Sequence, residues 1–233
     1  MVSLFRILFC AVWSIFWISS SLIIYLFTFQ NKIPVAMARS CWAPGILWCF
    51  GLKVSAIGTE SLDKRQPYVF VSNHQSFLDI PILFRTIPNN LYFVAKKELK
   101  WIPFLGWYMM ATGMIFIDRS DRKKAIQSLK RTGKLIKRGR SVLMFPEGTR
   151  SKDKSIAPFK KGPFVMAREA EVSVIPLGIR EEGEMVAWGK WGKTKITVHV
   201  GAPIKFKDDM PDFIAQAREQ VAELANKPIS ALS

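Results

Sequence analysis

Hydrophobic and polar positions divide the chain into two regimes. From Ile7 to Phe29 there are 23 residues without a charge. As a helix rising 1.5 Å per residue, such a run reaches across a hydrocarbon core of about 30 Å. It is too long for the apolar stretch of a secretion signal, and no clean small-residue cleavage site follows. A second apolar run, Cys41 to Leu52, has twelve residues and contains Pro44 and Gly45. It is too short to span and reads as an interfacial or re-entrant piece. Trp13, Trp17, Trp42 and Trp48 suit a headgroup boundary, where an indole can be half wet. Residues 1–60 are therefore expected to form a membrane-associated helical hairpin. Either the pair dips into one leaflet or the first helix spans.

After Lys64 the period changes. Tyr68–Ser72, Leu91–Ala95, Met114–Ile117, Ser141–Phe145, Val172–Ile179 and Lys195–Val200 are short runs rich in β-branched and aromatic residues, the signature of strands. Helical stretches are predicted over Leu78–Thr86, Phe104–Ala111, Arg122–Lys137, Gly162–Ala170 and about Pro211–Ala225. This alternation predicts an α/β domain over residues 61–233, a mostly parallel sheet with crossover helices. Ligands of such sheets bind at the carboxyl ends of strands, so motifs that directly follow strands carry the functional information.

Composition narrows the partner. The chain has 34 Lys or Arg against 18 Asp or Glu, and 18 of those cations against 5 acids fall between Lys96 and Lys161. Most of these lysines read as a solvated basic face, but beside a membrane anchor the excess also attracts anionic lipid. Nucleic acid is a poor candidate, because no recognised binding motif is present and the apolar start opposes it. Cys10, Cys41 and Cys49 lie in apolar stretches without paired spacing, which favours a reducing compartment over a disulfide framework. With only His74 and His199 beside them, no metal site is expected.

Asn73-His74-Gln75-Ser76-Phe77-Leu78-Asp79 follows the first strand of the α/β region. His74 and Asp79 meet if His74 sits on the strand-to-helix loop and Asp79 opens the helix. A carboxylate on one imidazole nitrogen fixes the tautomer and makes the other nitrogen a better base for a hydroxyl proton. The same residues also suit a surface histidine and an ordinary N-cap with Pro81 in the first turn. In Gly113–Arg119, Arg119 offers a planar fork to a phosphate, while Asp118 or Ser120 could cap the next helix. Phe145-Pro146-Glu147-Gly148-Thr149-Arg150-Ser151 combines a turn glycine, two hydroxyls and a bidentate cation; it is either an anion site or a polar turn. There Glu147 would repel a phosphate, so it is expected to orient Arg150 or a substrate hydroxyl. Lys160 and Lys161 precede a helix with Pro163 in its first turn, a place that attracts anions. Val174-Ile175-Pro176-Leu177 reads as an edge strand or a bulge. Gly192-Lys193-Thr194 lacks the upstream glycine of a phosphate-binding loop, Ala187 standing there. No G-x-S-x-G elbow offers a serine nucleophile.

Together NHQSFLD, GMIFIDR, FPEGTRS and VIPL, in that order, resemble the glycerolipid acyltransferase family over roughly Tyr68 to Ile179, in particular its 1-acylglycerol-3-phosphate branch. The resemblance implies the family's fold and a transfer from an acyl thioester, acyl-CoA or acyl-carrier protein, to the free hydroxyl of lysophosphatidate, giving phosphatidic acid. It implies that His74 is the general base and Asp79 its orienting partner. Arg119, Glu147, Gly148, Thr149 and Arg150 would organise the phosphate-bearing acceptor, with Lys160 or Lys161 assisting. Aspartate at position 79, where related lipid A acyltransferases carry glutamate, favours the glycerolipid branch. The chemistry implied needs no metal or redox cofactor, and it places the catalytic domain on the cytoplasmic face of a membrane. Acylation of another lysophospholipid or of glycerol 3-phosphate is the runner-up. A basic protein that binds anionic lipid without chemistry is the reading from another class.

Overall fold

The structure, a computed structural model, describes residues 1–118, 122–151, 155–182 and 192–230, with backbone only for 122–127 and 130. Helix α1 (Val2–Thr28) opens the chain, followed by α2 (Lys32–Met37), a π turn (Ala38–Trp42) and α3 (Ala43–Cys49). These last three run on without a break as the second arm of a hairpin. Pro44 lacks an amide hydrogen and crowds the turn before it, and a widened π turn is how a helix accommodates that.

Burial in α1 is inverted. Its buried residues are Arg6 and Ser21, while Leu4, Ile7, Leu8, Val12, Phe16, Ile23 and Leu26 are exposed. Arg6 Nε donates to the Cys49 carbonyl at 3.2 Å and its guanidinium lies 5.1 Å from the Phe50 ring centre. Trp13 Nε1 donates to the Trp42 carbonyl and Trp42 Nε1 to Ser14 Oγ, both at 3.0 Å. Polar groups thus stitch the two arms together, and the outward face of α1 is apolar. A 27-residue helix of this composition is long enough to cross a bilayer.

The second arm differs from its expected form. It begins at Lys32 rather than Cys41, and Ala43, Ile46, Leu47 and Cys49 of α3 are buried against protein instead of lying open at an interface. The expected apolar run also splits. Phe50 and Gly51 turn the chain, and Leu52 starts strand β1 (Leu52–Ile57), which the sequence reading did not foresee.

The remaining elements are β2 (Val69–Ser72), α4 (Asp79–Thr86), β3 (Leu91–Lys96), α5 (Leu105–Thr112), β4 (Ile115–Ile117), α6 (Arg122–Lys137), β5 (Ser141–Met144), α7 (Gly162–Ala170), β6 (Val174–Glu182), β7 (Thr194–Val200) and α8 (Met210–Ala225). The sheet order is β1-β7-β6-β2-β5-β3-β4, with every pairing parallel except β6 with β7. All four residues of β2 are buried, as befits a central strand covered on both faces. Helices α7 and α8 pack on β2 and β6, and α4 packs beneath the hairpin and β1. Pro176 sits in interior strand β6, not at an edge. It falls where the β6–β7 ladder breaks, between the Val174–Ile204 bridge and the Leu177–Val200 pair, which is the bulge alternative of the sequence reading.

Candidate active site

Strands β2 and β5 are parallel neighbours in register Val71 to Met144, so the segments that leave their carboxyl ends emerge side by side. The NHQSFLD and FPEGTRS blocks, 72 residues apart in the chain, become one surface for that reason alone. Asn73, 1% exposed, fixes the first of them: its Nδ2 donates to the Ile179 carbonyl at 3.2 Å and its Oδ1 accepts from the Ile179 amide at 2.8 Å. His74 therefore starts its loop from a residue anchored to the adjacent strand.

His74 Nδ1 lies 2.8 Å from Asp79 Oδ2. The same carboxylate oxygen accepts the amides of Gln75 at 2.8 Å and Ser76 at 2.9 Å. Asp79 is the first residue of α4 and is buried, yet it does not cap its own helix; Leu78 holds that position. Its charge is turned back onto the loop that carries the imidazole. An acceptor-only carboxylate on Nδ1 leaves the lone pair on Nε2. The His74 ring stacks on Phe145, with centroids 3.9 Å apart and planes within 14°, which locks its orientation.

Of the two roles expected of Glu147, orienting Arg150 is not the one the structure shows. Its carboxylate is buried, and it accepts the His74 amide at 2.9 Å on one oxygen and the Ala157 amide at 3.0 Å on the other. No bond from it to Arg150 occurs among the described residues. Burial pushes its carboxyl above the usual carboxylate range, the two amides pulling back against that. Ser151 completes the junction by donating its amide to the His74 carbonyl at 2.9 Å. Glu147 thus braces the backbone beneath the imidazole from the neighbouring strand's loop.

Gly148 turns at φ 79°, and a Cβ there would meet the Lys160 ammonium at 2.4 Å. Only glycine lets that lysine lie across the turn. Thr149 and Arg150 are exposed and line the same cleft as His74. Lys161 is exposed at the N-cap of α7 and is not among the cleft-lining residues. Asp118, one of two suggested caps for α6, pairs with Lys97 at 2.7 Å. Arg119 and Ser120 lie outside the described residues.

From His74 a cleft of about 640 Å³ runs between α1, the π turn, α4, α5 and the sheet. Its walls are predominantly apolar, with Trp17, Phe84, Phe93, Met109 and Met114 among them, and Arg150 and Lys96 are the cationic side chains that line it. The acyltransferase family model matches residues 53–180, which takes in both blocks. The chain belongs to the acyltransferase family.

This acyltransferase is 36% identical over 182 residues to the 1-acyl-sn-glycerol-3-phosphate acyltransferase of Saccharomyces cerevisiae, covering 74% of this chain and 60% of that protein. It is 30% identical over 205 residues to the protein of that name from Haemophilus influenzae, covering 84% and 85%. The chain spans about half to three-fifths of the length of several eukaryotic relatives. The crystal structure of the 1-acyl-sn-glycerophosphate acyltransferase from Thermotoga maritima shares the fold, with a TM-score of 0.79, 23% identity, and coverage of 97% of this chain and 93% of that one.

The part of the acyltransferase cleft that sequence reading missed is the wall supplied by α1. Ser14, Trp17, Ile18 and Ser21 line it. Their i, i+3, i+4, i+7 spacing is one helical face, and Ser14 and Ser21 on that face of a mostly apolar run were the available signal.

Proposed function

We propose that this acyltransferase moves a fatty acyl group from acyl-CoA or acyl-carrier protein to the free hydroxyl of 1-acylglycerol 3-phosphate, giving phosphatidic acid. The observation that carries the reading is the oriented His74–Asp79 pair, 2.8 Å apart, where an apolar cleft meets Arg150. His74 Nε2 takes the hydroxyl proton as the oxygen attacks the thioester carbonyl. A tetrahedral intermediate forms, the C–S bond breaks, and the imidazolium returns the proton to the departing thiolate. Asp79 stabilises the imidazolium and holds its ring. The apolar cleft suits an acyl chain, while Arg150, with Thr149 and Lys160 around the Gly148 turn, suits the acceptor phosphate.

No step in this sequence calls for a metal or redox cofactor, so activity should survive thorough chelation. The test is purified protein in mixed vesicles with lysophosphatidate and each thioester donor in turn, followed by product mass. Phosphatidate formation that disappears in His74→Ala supports the reading. Failure of both donors, or chelation loss that one divalent ion restores, overturns it. The long apolar helix α1 supports a location at the bilayer, where the acceptor resides, and a thioester donor is consistent with a catalytic domain on the cytoplasmic side.

A further inference from the structure

The 3₁₀ turn Lys97–Trp101 and helix α5 form a lip on the cleft whose two sides differ. Inward, Leu99, Leu105, Tyr108 and Met109 line the cavity. Outward, Trp101 is 81% exposed, Trp107 51% and Ile102 43%, with Phe104 beside them at 39%. Four large apolar side chains within seven residues make a patch, whereas scattered single ones would need no explanation. The backbone is bent to display it. Phe104 sits at φ 61° and ψ −58°, the centre of a three-residue turn closed by the Leu105 amide on the Pro103 carbonyl at 2.7 Å. That conformation is unfavourable for a residue with a Cβ, and it accompanies a half-exposed ring packed 5.3 Å from Trp107.

The patch also has a neighbour of the same kind. Helix α5 packs on α1, Tyr108 donates its hydroxyl to the Pro34 carbonyl at 3.2 Å, and α1 likewise turns cavity-lining residues inward and large apolar residues outward. Lysines 96, 97 and 100 against Glu98 rim the lip, and Lys100 lies 5.8 Å from the Trp101 ring centre. Indoles edged by lysines match the boundary between acyl chains and anionic headgroups.

We propose that residues 97–110 are a second membrane-contact surface, set in the headgroup layer of an anionic bilayer beside α1. The wall of the cleft then faces lipid on both α1 and α5, and the acceptor reaches His74 without crossing water. A docked protein would explain the aromatics equally well, but not their continuity with the apolar face of a membrane helix.

The experiment uses the full chain in vesicles of phosphatidylcholine and phosphatidylglycerol with acyl-chain-brominated lipid. Tryptophan emission of the parent minus that of Trp101→Phe/Trp107→Phe isolates the lip. Quenching of this difference by bromolipid, and its protection from aqueous iodide, is the expected result. Emission that iodide quenches and bromolipid does not would overturn the proposal. The kinetic arm rests on the acyltransferase reading. Trp101→Ser/Phe104→Ser/Trp107→Ser should raise apparent KM for bilayer-borne lysophosphatidate about tenfold, and leave kcat for a short-chain acceptor below its micelle concentration unchanged. Equal loss on both acceptors counts against the lip. Should the parent acylate neither acceptor, the functional reading fails while the quenching result still decides the contact.

Discussion

Asp79 Oδ2 receives His74 Nδ1 and two loop amides, so aspartate at this position holds a loop and an imidazole with one atom. If the two side chains act as a unit, their losses cannot multiply. His74→Ala should lower kcat by about 10²–10⁴, and Asp79→Asn added to it should cost little more. Multiplicative losses in the folded variants would mean independent roles. Arg150→Lys keeps the charge but not the fork, and should raise KM for the acceptor while leaving kcat near normal. Glu147 makes a pH prediction. Burial raises its carboxyl in the folded state, so the fold binds that proton more tightly than the unfolded chain. Its contribution is greatest below the ordinary carboxylate range and declines as pH rises through the shifted value. Glu147→Gln removes this titration but sets an amide donor against a backbone donor, leaving His74 or Ala157 unsatisfied at about 1–3 kcal/mol. The melting-temperature gap between parent and variant should therefore be widest in acid and narrow toward neutral pH.

Among elements, the C-terminal segment matters more than its distance in sequence suggests. After α8, Lys227 Nζ donates to Gln75 Oε1 at 2.6 Å, and Arg218 of α8 donates to the Ile156 and Ser230 carbonyls at 2.8 and 2.7 Å. Those contacts hold the loop that presents the Gln75 amide to Asp79 and the segment that presents the Ala157 amide to Glu147. Lys227→Met should lower kcat several-fold with little change in acceptor KM, and Lys227→Arg should restore most of it; equal effects on kcat and KM would point to a general loosening instead. None of this was legible beforehand, since Lys227 carries no periodic signal and long-range pairing is not encoded in local pattern. Strand-borne motifs were legible: β2 and β5 are compact apolar runs, and the blocks that follow them are where the proposed chemistry sits. Strand β1 was not, because Leu52 abuts the apolar run of α3 and the only punctuation is Gly51. That glycine, at φ 66°, stands where a Cβ would lie 1.9 Å from the Gly192 carbonyl oxygen, so it both ends the helix and admits the segment before β7. The Glu147 contacts were hidden for a related reason: charge suggests a ligand contact, and only the fold reveals the two backbone amides that its carboxylate accepts.

At the scale of the molecule, a membrane helix and a soluble-style sheet share one cavity, so neither is an appendage. The exposed apolar face of α1 predicts that the full-length protein fractionates with membranes and needs detergent for extraction; active, monodisperse protein in a detergent-free soluble fraction would contradict it. The pairing of β1 with β7 has its own consequence for biosynthesis. Ser55 and Thr197 share a hydrogen bond across 142 residues, so the strand next to the membrane arm waits for β7, the last described strand, to be translated. At about 5–20 residues per second that delay is roughly 7–30 s. Throughout it the sheet that will complete the cavity beside the apolar arm is not closed, so the arm is open to a bilayer before the fold is complete.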